Sequence, residues 1–130
     1  MKYQQLPEAE FLVMQTIWDQ EPPVSSRRVA ELLDPVKGWK LQTVYTLLNR
    51  LVEKGFLTSE KHGWERFYTP VVERDSYLRQ ETGRFLKEFH KNSLKGFMSA
   101  LVYSEGVDRN DLSELSEWLD SLEKEEVDDV

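Results

Sequence analysis

The 130-residue sequence predicts a mainly α protein with one small β-hairpin, in the order helix, helix, turn, helix, hairpin, and then helices only. Three observations predict it. Apolar residues recur at helical spacing through most of the chain. One stretch alone, from Phe56 to Thr69, has two β-prone runs around a glycine-bearing loop. Prolines and glycines fall where elements should begin and end.

The first helix is expected from Pro7 to about Gln20. Proline suits the first helical position, and Glu8 and Glu10 complement the positive end of the helix dipole. Phe11, Met14 and Trp18 repeat at helical spacing, with Val13 and Ile17 widening the apolar face. Glu21-Pro22-Pro23 ends it. Ser25 is the expected N-cap of a short second helix whose Val29, Leu32 and Leu33 face inward. Asp34-Pro35 is expected to close that helix, because a residue before proline is pushed out of the α region.

A turn at Gly38 leads to a third helix over roughly Leu41 to Lys54, with Val44, Leu47, Leu48, Leu51 and Val52 at i, i+3, i+4, i+7 and i+8. Gly55 is placed to end it in a left-handed conformation. Strands are expected at Phe56–Glu60 and Arg66–Thr69, around His62-Gly63-Trp64-Glu65, and Pro70 stops the second.

Beyond about Glu73 only helices are predicted. One spans Asp75 to His90, a break at Asn92-Ser93 re-caps a second over Leu94 to Tyr103, and Asp108 caps a third. That last helix carries Leu112, Leu115, Leu119 and Leu122 at 3-4-3 spacing, a narrow stripe that one helix cannot bury alone. With Phe85, Phe89, Phe97 and Met98 it predicts a twofold interface between copies. The expected division is therefore residues 1–72 as a winged helix-turn-helix domain and 73–130 as a helical dimerisation region.

Composition narrows the function. With no cysteine there is no disulfide, thiolate metal site or cysteine nucleophile, and two distant histidines suggest no metal cluster. The N-terminus lacks signal-peptide order, and no apolar run approaches the roughly 20 residues that span a bilayer. A cytoplasmic protein without membrane insertion is expected. No Ser/His/Asp arrangement or phosphate loop is visible, and Glu125-Glu126 and Asp128-Asp129 lie at a terminus that fixes no ligand geometry, so neither an enzyme nor a cofactor is expected.

The net charge of −7 conceals an uneven distribution. Residues 105–130 hold eleven acids against two bases, whereas residues 22–69 hold eight bases against five acids. Within that basic middle, the third helix turns Gln42, Thr46, Asn49, Arg50 and Glu53 away from its apolar side, with Thr43 and Tyr45 on the flanks. Hydroxyls, amides and a guanidinium are the groups that hydrogen-bond to base edges and phosphates. Lys61, Trp64 and Arg66 lie near the hairpin tip and edges, and Arg27 and Arg28 stand in the first turn of the second helix, where a phosphate would pass. An alternative reading is a winged-helix module that docks on protein through helix 3 or Trp64.

These residues resemble the BlaI/MecI penicillinase-repressor family of bacterial transcriptional regulators. The similarity is strongest in Glu8-Ala9-Glu10 through Ile17-Trp18 and in Thr43-Val44-Tyr45-Thr46-Leu47-Leu48-Asn49-Arg50-Leu51-Val52-Glu53-Lys54-Gly55, and it continues through Tyr68-Thr69-Pro70 to Ser93-Leu94-Lys95. The resemblance implies a homodimeric repressor on a palindromic double-stranded DNA operator, often controlling β-lactam-resistance genes. It places Thr43, Thr46, Asn49 and Arg50 in the groove and Lys61 on the wing. It also implies induction by a membrane sensor-protease system that cuts the arm at an Asn-Phe bond, which aligns here with Ala100-Leu101. Three departures stand out. Lys40-Leu41 replaces a common Ser-Pro before helix 3, Trp64 replaces an often basic wing residue, and the cysteine ligands of the copper-responsive branch are missing.

Overall fold

The computed structural model describes residues 2–128; Asp129, the last acid of the terminal cluster, lies outside the described residues. The described chain has six helices: α1 (Glu8–Trp18), α2 (Ser26–Lys37), α3 (Leu41–Glu53), α4 (Arg74–His90), α5 (Leu94–Val102) and α6 (Arg109–Asp128). Three strands, β1 (Val24–Ser25), β2 (Leu57–His62) and β3 (Glu65–Pro70), form an antiparallel sheet in the order β1-β3-β2. The chain divides into two compact units, Met1–Gly83 and Arg84–Val130.

In the first unit, one face each of α1, α2 and α3 closes a shared core. Val13, Met14, Ile17, Val29, Val44, Leu48 and Leu51 are buried there with Phe56, Leu57 and Tyr68 from the sheet side. The predicted periodicities therefore mark true inward faces. The start of α4 belongs to this core through Tyr77, whose ring packs against Phe11, Trp18 and Phe56 and whose hydroxyl accepts a hydrogen bond from the Leu6 amide at 2.9 Å. The indole of Trp18 donates to the Val72 carbonyl at 3.0 Å, and the Gln80 amide bridges both main-chain groups of Tyr3 at 2.8 Å. Tyr77 was not among the core residues the sequence suggested.

Several local expectations are corrected. Helix α2 does not close at Asp34-Pro35; Pro35 lies inside it, and the helix runs on to Lys37. Proline this late in a helix forfeits one backbone hydrogen bond, and Gly38, at φ 61°, ends the helix instead by donating to the Asp34 carbonyl at 2.8 Å. Strand β1 was not foreseen. Two residues show no periodicity, and their strand character comes from pairing Val24 with Tyr68 and Ser25 with Phe67. Strand β2 runs two residues further toward the turn and β3 begins one residue earlier than the composition suggested, leaving Gly63-Trp64 as the tip. Pro70 does not stop β3 but is its last residue, opposite Leu57, where no backbone donor is needed. Gly63, at φ 69°, supplies the positive φ that such a tight connection needs at its first position.

The second unit comprises the rest of α4 with α5 and α6. Its caps form as expected. The Ser93 hydroxyl accepts from the Gly96 amide at 2.9 Å, and Asp108 and Asp111 exchange hydrogen bonds between their carboxylates and main-chain amides. Phe85 stacks on Phe89 with ring centroids 4.6 Å apart, and Phe97 meets Phe85 edge-on. Among the described residues of this unit none is buried.

Candidate nucleic-acid interface

Helix α3 is held by its apolar face, which fixes what its other face presents. Gln42, Thr43, Thr46, Asn49 and Arg50 are exposed and Tyr45 is half-buried, as the angular spacing predicts. The Thr46 hydroxyl donates to the Gln42 carbonyl at 3.0 Å. It therefore offers outward a methyl group and acceptor lone pairs, with its one proton already committed.

Strand register sets the wing. Because β2 and β3 pair with Lys61 opposite Arg66 and Ser59 opposite Tyr68, these four side chains share one face of the hairpin. A groove between this face and α3 is lined by Gln42, Tyr45 and Asn49 from the helix and by Lys61, Trp64, Arg66 and Tyr68 from the hairpin, with Ser26 at its end. An adjoining recess is lined by Ser26, Arg27, Tyr45, Trp64 and Glu65. Residues predicted from three separate elements thus meet along one surface. Thr43, Thr46, Arg50 and Arg28 line neither hollow; the first three stand exposed on α3 beside the groove.

Two like charges directly opposite on a strand pair repel. Lys61 and Arg66 occupy such a pair, and Arg66 is partly engaged by donating to Ser59 Oγ at 3.3 Å. Among the described residues Arg27, Arg50 and Lys61 make no ion pair. Arg28 has an exposed partner, Glu31, at 3.5 Å, an interaction weak enough for a stronger anion to displace. At the start of α2, its positive end, the Ser25 hydroxyl accepts from the Arg28 amide. Burial pushes the Tyr68 phenol above its ordinary value against the opposing pull of Arg66, so it lines the groove as a neutral group.

Three contributors escaped the sequence reading. Ser26 is buried at the groove end and Tyr68 forms its floor; the i, i+2 alternation with Arg66 was the available signal for Tyr68. The third is Glu10, which the helix dipole alone seemed to explain. It is only 2% exposed and accepts from Lys54 Nζ at 2.6 Å, tying the start of α1 to the end of α3.

On the second unit, Phe85 and Phe89 are exposed, Phe97, Met98, Leu112 and Leu115 are half-buried, and Leu119 and Leu122 are exposed. Leu94, Val102, Tyr103 and Trp118 add exposed apolar surface that the leucine stripe alone did not include. Trp118 lies three residues after Leu115 and four before Leu122, so its place on the stripe was readable. The Ala100-Leu101 bond lies within α5, near its C-terminal end. Among the described residues no helix is long and apolar enough to cross a membrane, and no acidic or histidine group could hold a metal.

A model of the penicillinase repressor family matches residues 6–121. The penicillinase repressor of Bacillus licheniformis is 27% identical over 119 residues, covering 92% of each chain. The methicillin resistance regulatory protein MecI of Staphylococcus aureus strain N315 is 25% identical over 114 residues, covering 88% of this chain and 92% of its own. Among solved structures, the DNA-binding domain of the repressor BlaI superposes with a TM-score of 0.52 at 33% identity, over 58% of this chain and 92% of that one. The monomeric form of Bacillus licheniformis BlaI, solved in complex with the blaP half-operator, gives a TM-score of 0.50 at the same identity and coverage. With the family match covering most of the sequence, and a winged helix present where the BlaI domain has one, the chain belongs to the penicillinase repressor family.

Proposed function

We propose that this protein is a transcriptional repressor that binds a palindromic DNA operator as a homodimer, occluding a promoter and performing no chemistry. The observation that carries this reading is the groove in which the polar face of α3 meets the opposed Lys61 and Arg66 of the wing. Helix α3 enters the major groove, where Gln42, Thr46 and Asn49 meet base edges. Arg27, at the positive end of α2, takes a backbone phosphate, and Arg50, Lys61 and Arg66 take others. The second unit pairs with its copy through Phe85, Phe89, Phe97, Met98 and the α6 leucines. The acidic charges of residues 105–130 keep this arm from competing for DNA. Such a protein works in the cytoplasm, where operator DNA lies.

Release by cutting Ala100-Leu101 fits the same scheme. That bond must unfold locally before a protease reaches it, and α5, with no buried residue, opens at little cost. Following the intact mass of the chain during full induction tests this; a chain that keeps its mass is released another way.

The DNA reading is tested by the salt dependence of duplex binding by the full chain. Counterion release predicts that log affinity falls with log salt at about −0.9 per phosphate contacted. Negligible duplex affinity at low salt would leave only a protein-docking role for α3, which none of the relatives described above supports.

A further inference from the structure

Deepening that reading, we infer that Trp64 is a minor-groove contact whose indole, rather than a cation, fixes the wing on the operator. Trp64 is 97% exposed at the tip of the β2–β3 turn and forms the shared lip of both hollows beside α3. A side chain of this size held wholly in water on a two-residue turn has no structural task in the free chain. The other three tryptophans set the contrast: Trp18 and Trp39 pack against the core, and Trp118 lies on the apolar stripe of α6.

Reach decides what the tip meets. Trp64 is the outermost residue of the wing, beyond the cations Lys61 and Arg66, and shares the hollow beside α3 with them. With α3 seated in the major groove, Lys61 and Arg66 then lie over the bordering phosphate ridge and the tip reaches the edge of the neighbouring minor groove. An indole suits that place. Its faces pack on sugars and its Nε1–H is a donor without an acceptor. A·T pairs show only acceptors in the minor groove, whereas G·C adds a protruding amino donor. Trp64 therefore favours A·T pairs flanking each half-site, and as a neutral group it adds affinity without releasing counterions.

The test uses the full chain and a duplex that this chain selects from a randomised library. Trp64→Ala is expected to weaken binding about 10-fold to 100-fold, the range for removing an aromatic contact to nucleic acid, with the log–log salt slope unchanged. Trp64→Lys should recover affinity at low salt and steepen the slope by about one. Changing the wing-protected A·T pairs to G·C should weaken the wild type but not Trp64→Ala, and inosine·C, which lacks the amino group, should restore wild-type binding. Trp64→Ala binding as tightly as the wild type, or an equal G·C penalty in both proteins, would overturn the inference while leaving α3 as the reader. Failure of the wild type to select any duplex would overturn the repressor reading itself, and this inference with it.

Discussion

The two units handle apolar side chains in opposite ways. In Met1–Gly83, aliphatic residues from three helices and the sheet close over one another, with Val13, Ile17, Val44 and Leu51 fully shielded. In Arg84–Val130, Phe89 is 67% exposed and Tyr103 is 89% exposed, and no described side chain is buried. The first unit completes its core within one chain. The second also carries many large apolar residues, but within it they are at most half-buried. Large exposed apolar side chains mark interaction surfaces, and on the proposed homodimeric reading a second copy of the arm supplies the matching stripe.

The largest expected effect breaks the arm. Replacing both Leu115 and Leu119 with aspartate removes two contacts worth roughly 1.5–3 kcal/mol each and places charge on the stripe. Sedimentation should then show monomers whose first unit keeps its cooperative melting. A dimer surviving both changes would move the interface away from α6.

Next comes the brace within the first unit. Lys54→Met leaves the Glu10 carboxylate buried without its partner. Breaking a buried pair costs 3–5 kcal/mol, and the 24% exposure of the Lys54 side chain places the loss near about 3 kcal/mol. Thermal melting of the first unit should register it, and Glu10→Gln combined with Lys54→Met should recover part of the loss. The association of the arms should not change.

Smaller effects sharpen the division of labour on the DNA face. Thr46→Ala should alter base preference by about 1–3 kcal/mol at one position. Because the Thr46 hydroxyl proton is spent on the Gln42 carbonyl, Thr46→Val should keep any methyl contact and lose only an accepted hydrogen bond. Selection experiments with both variants separate the two. Lys61→Ala should weaken operator and random duplex alike and lower the salt slope by about one.

Much of this was legible in the sequence because it lies in period and punctuation. The inward faces of α1 and α3, the caps at Ser25, Ser93 and Asp108, and the glycines that follow α3 and open the hairpin turn follow from local stereochemistry. So does the outward face of α3, since five positions at helical spacing settle which residues remain. What escaped depends on partners distant in sequence. Strand β1 exists through Tyr68 and Phe67, Tyr77 is core because Leu6, Phe11 and Phe56 surround it, and Glu10 is buried only because Lys54 arrives 44 residues later. Pro35 failed as a stop signal for a related reason: its bias acts on one residue, while the capping glycine lay three positions further on.

On the proposed reading, a self-sufficient reader is made into a repressor by an arm that requires a second copy. The direct measurement is the affinity of the full chain for a duplex bearing two half-sites against one bearing a single half-site, at the same salt. Linkage through the arm predicts about 10²-fold to 10⁴-fold tighter binding to the double site. That advantage should vanish in the Leu115→Asp, Leu119→Asp variant, which should still bind the single half-site as the wild type does. Equal affinity of the wild type for both duplexes would contradict the account.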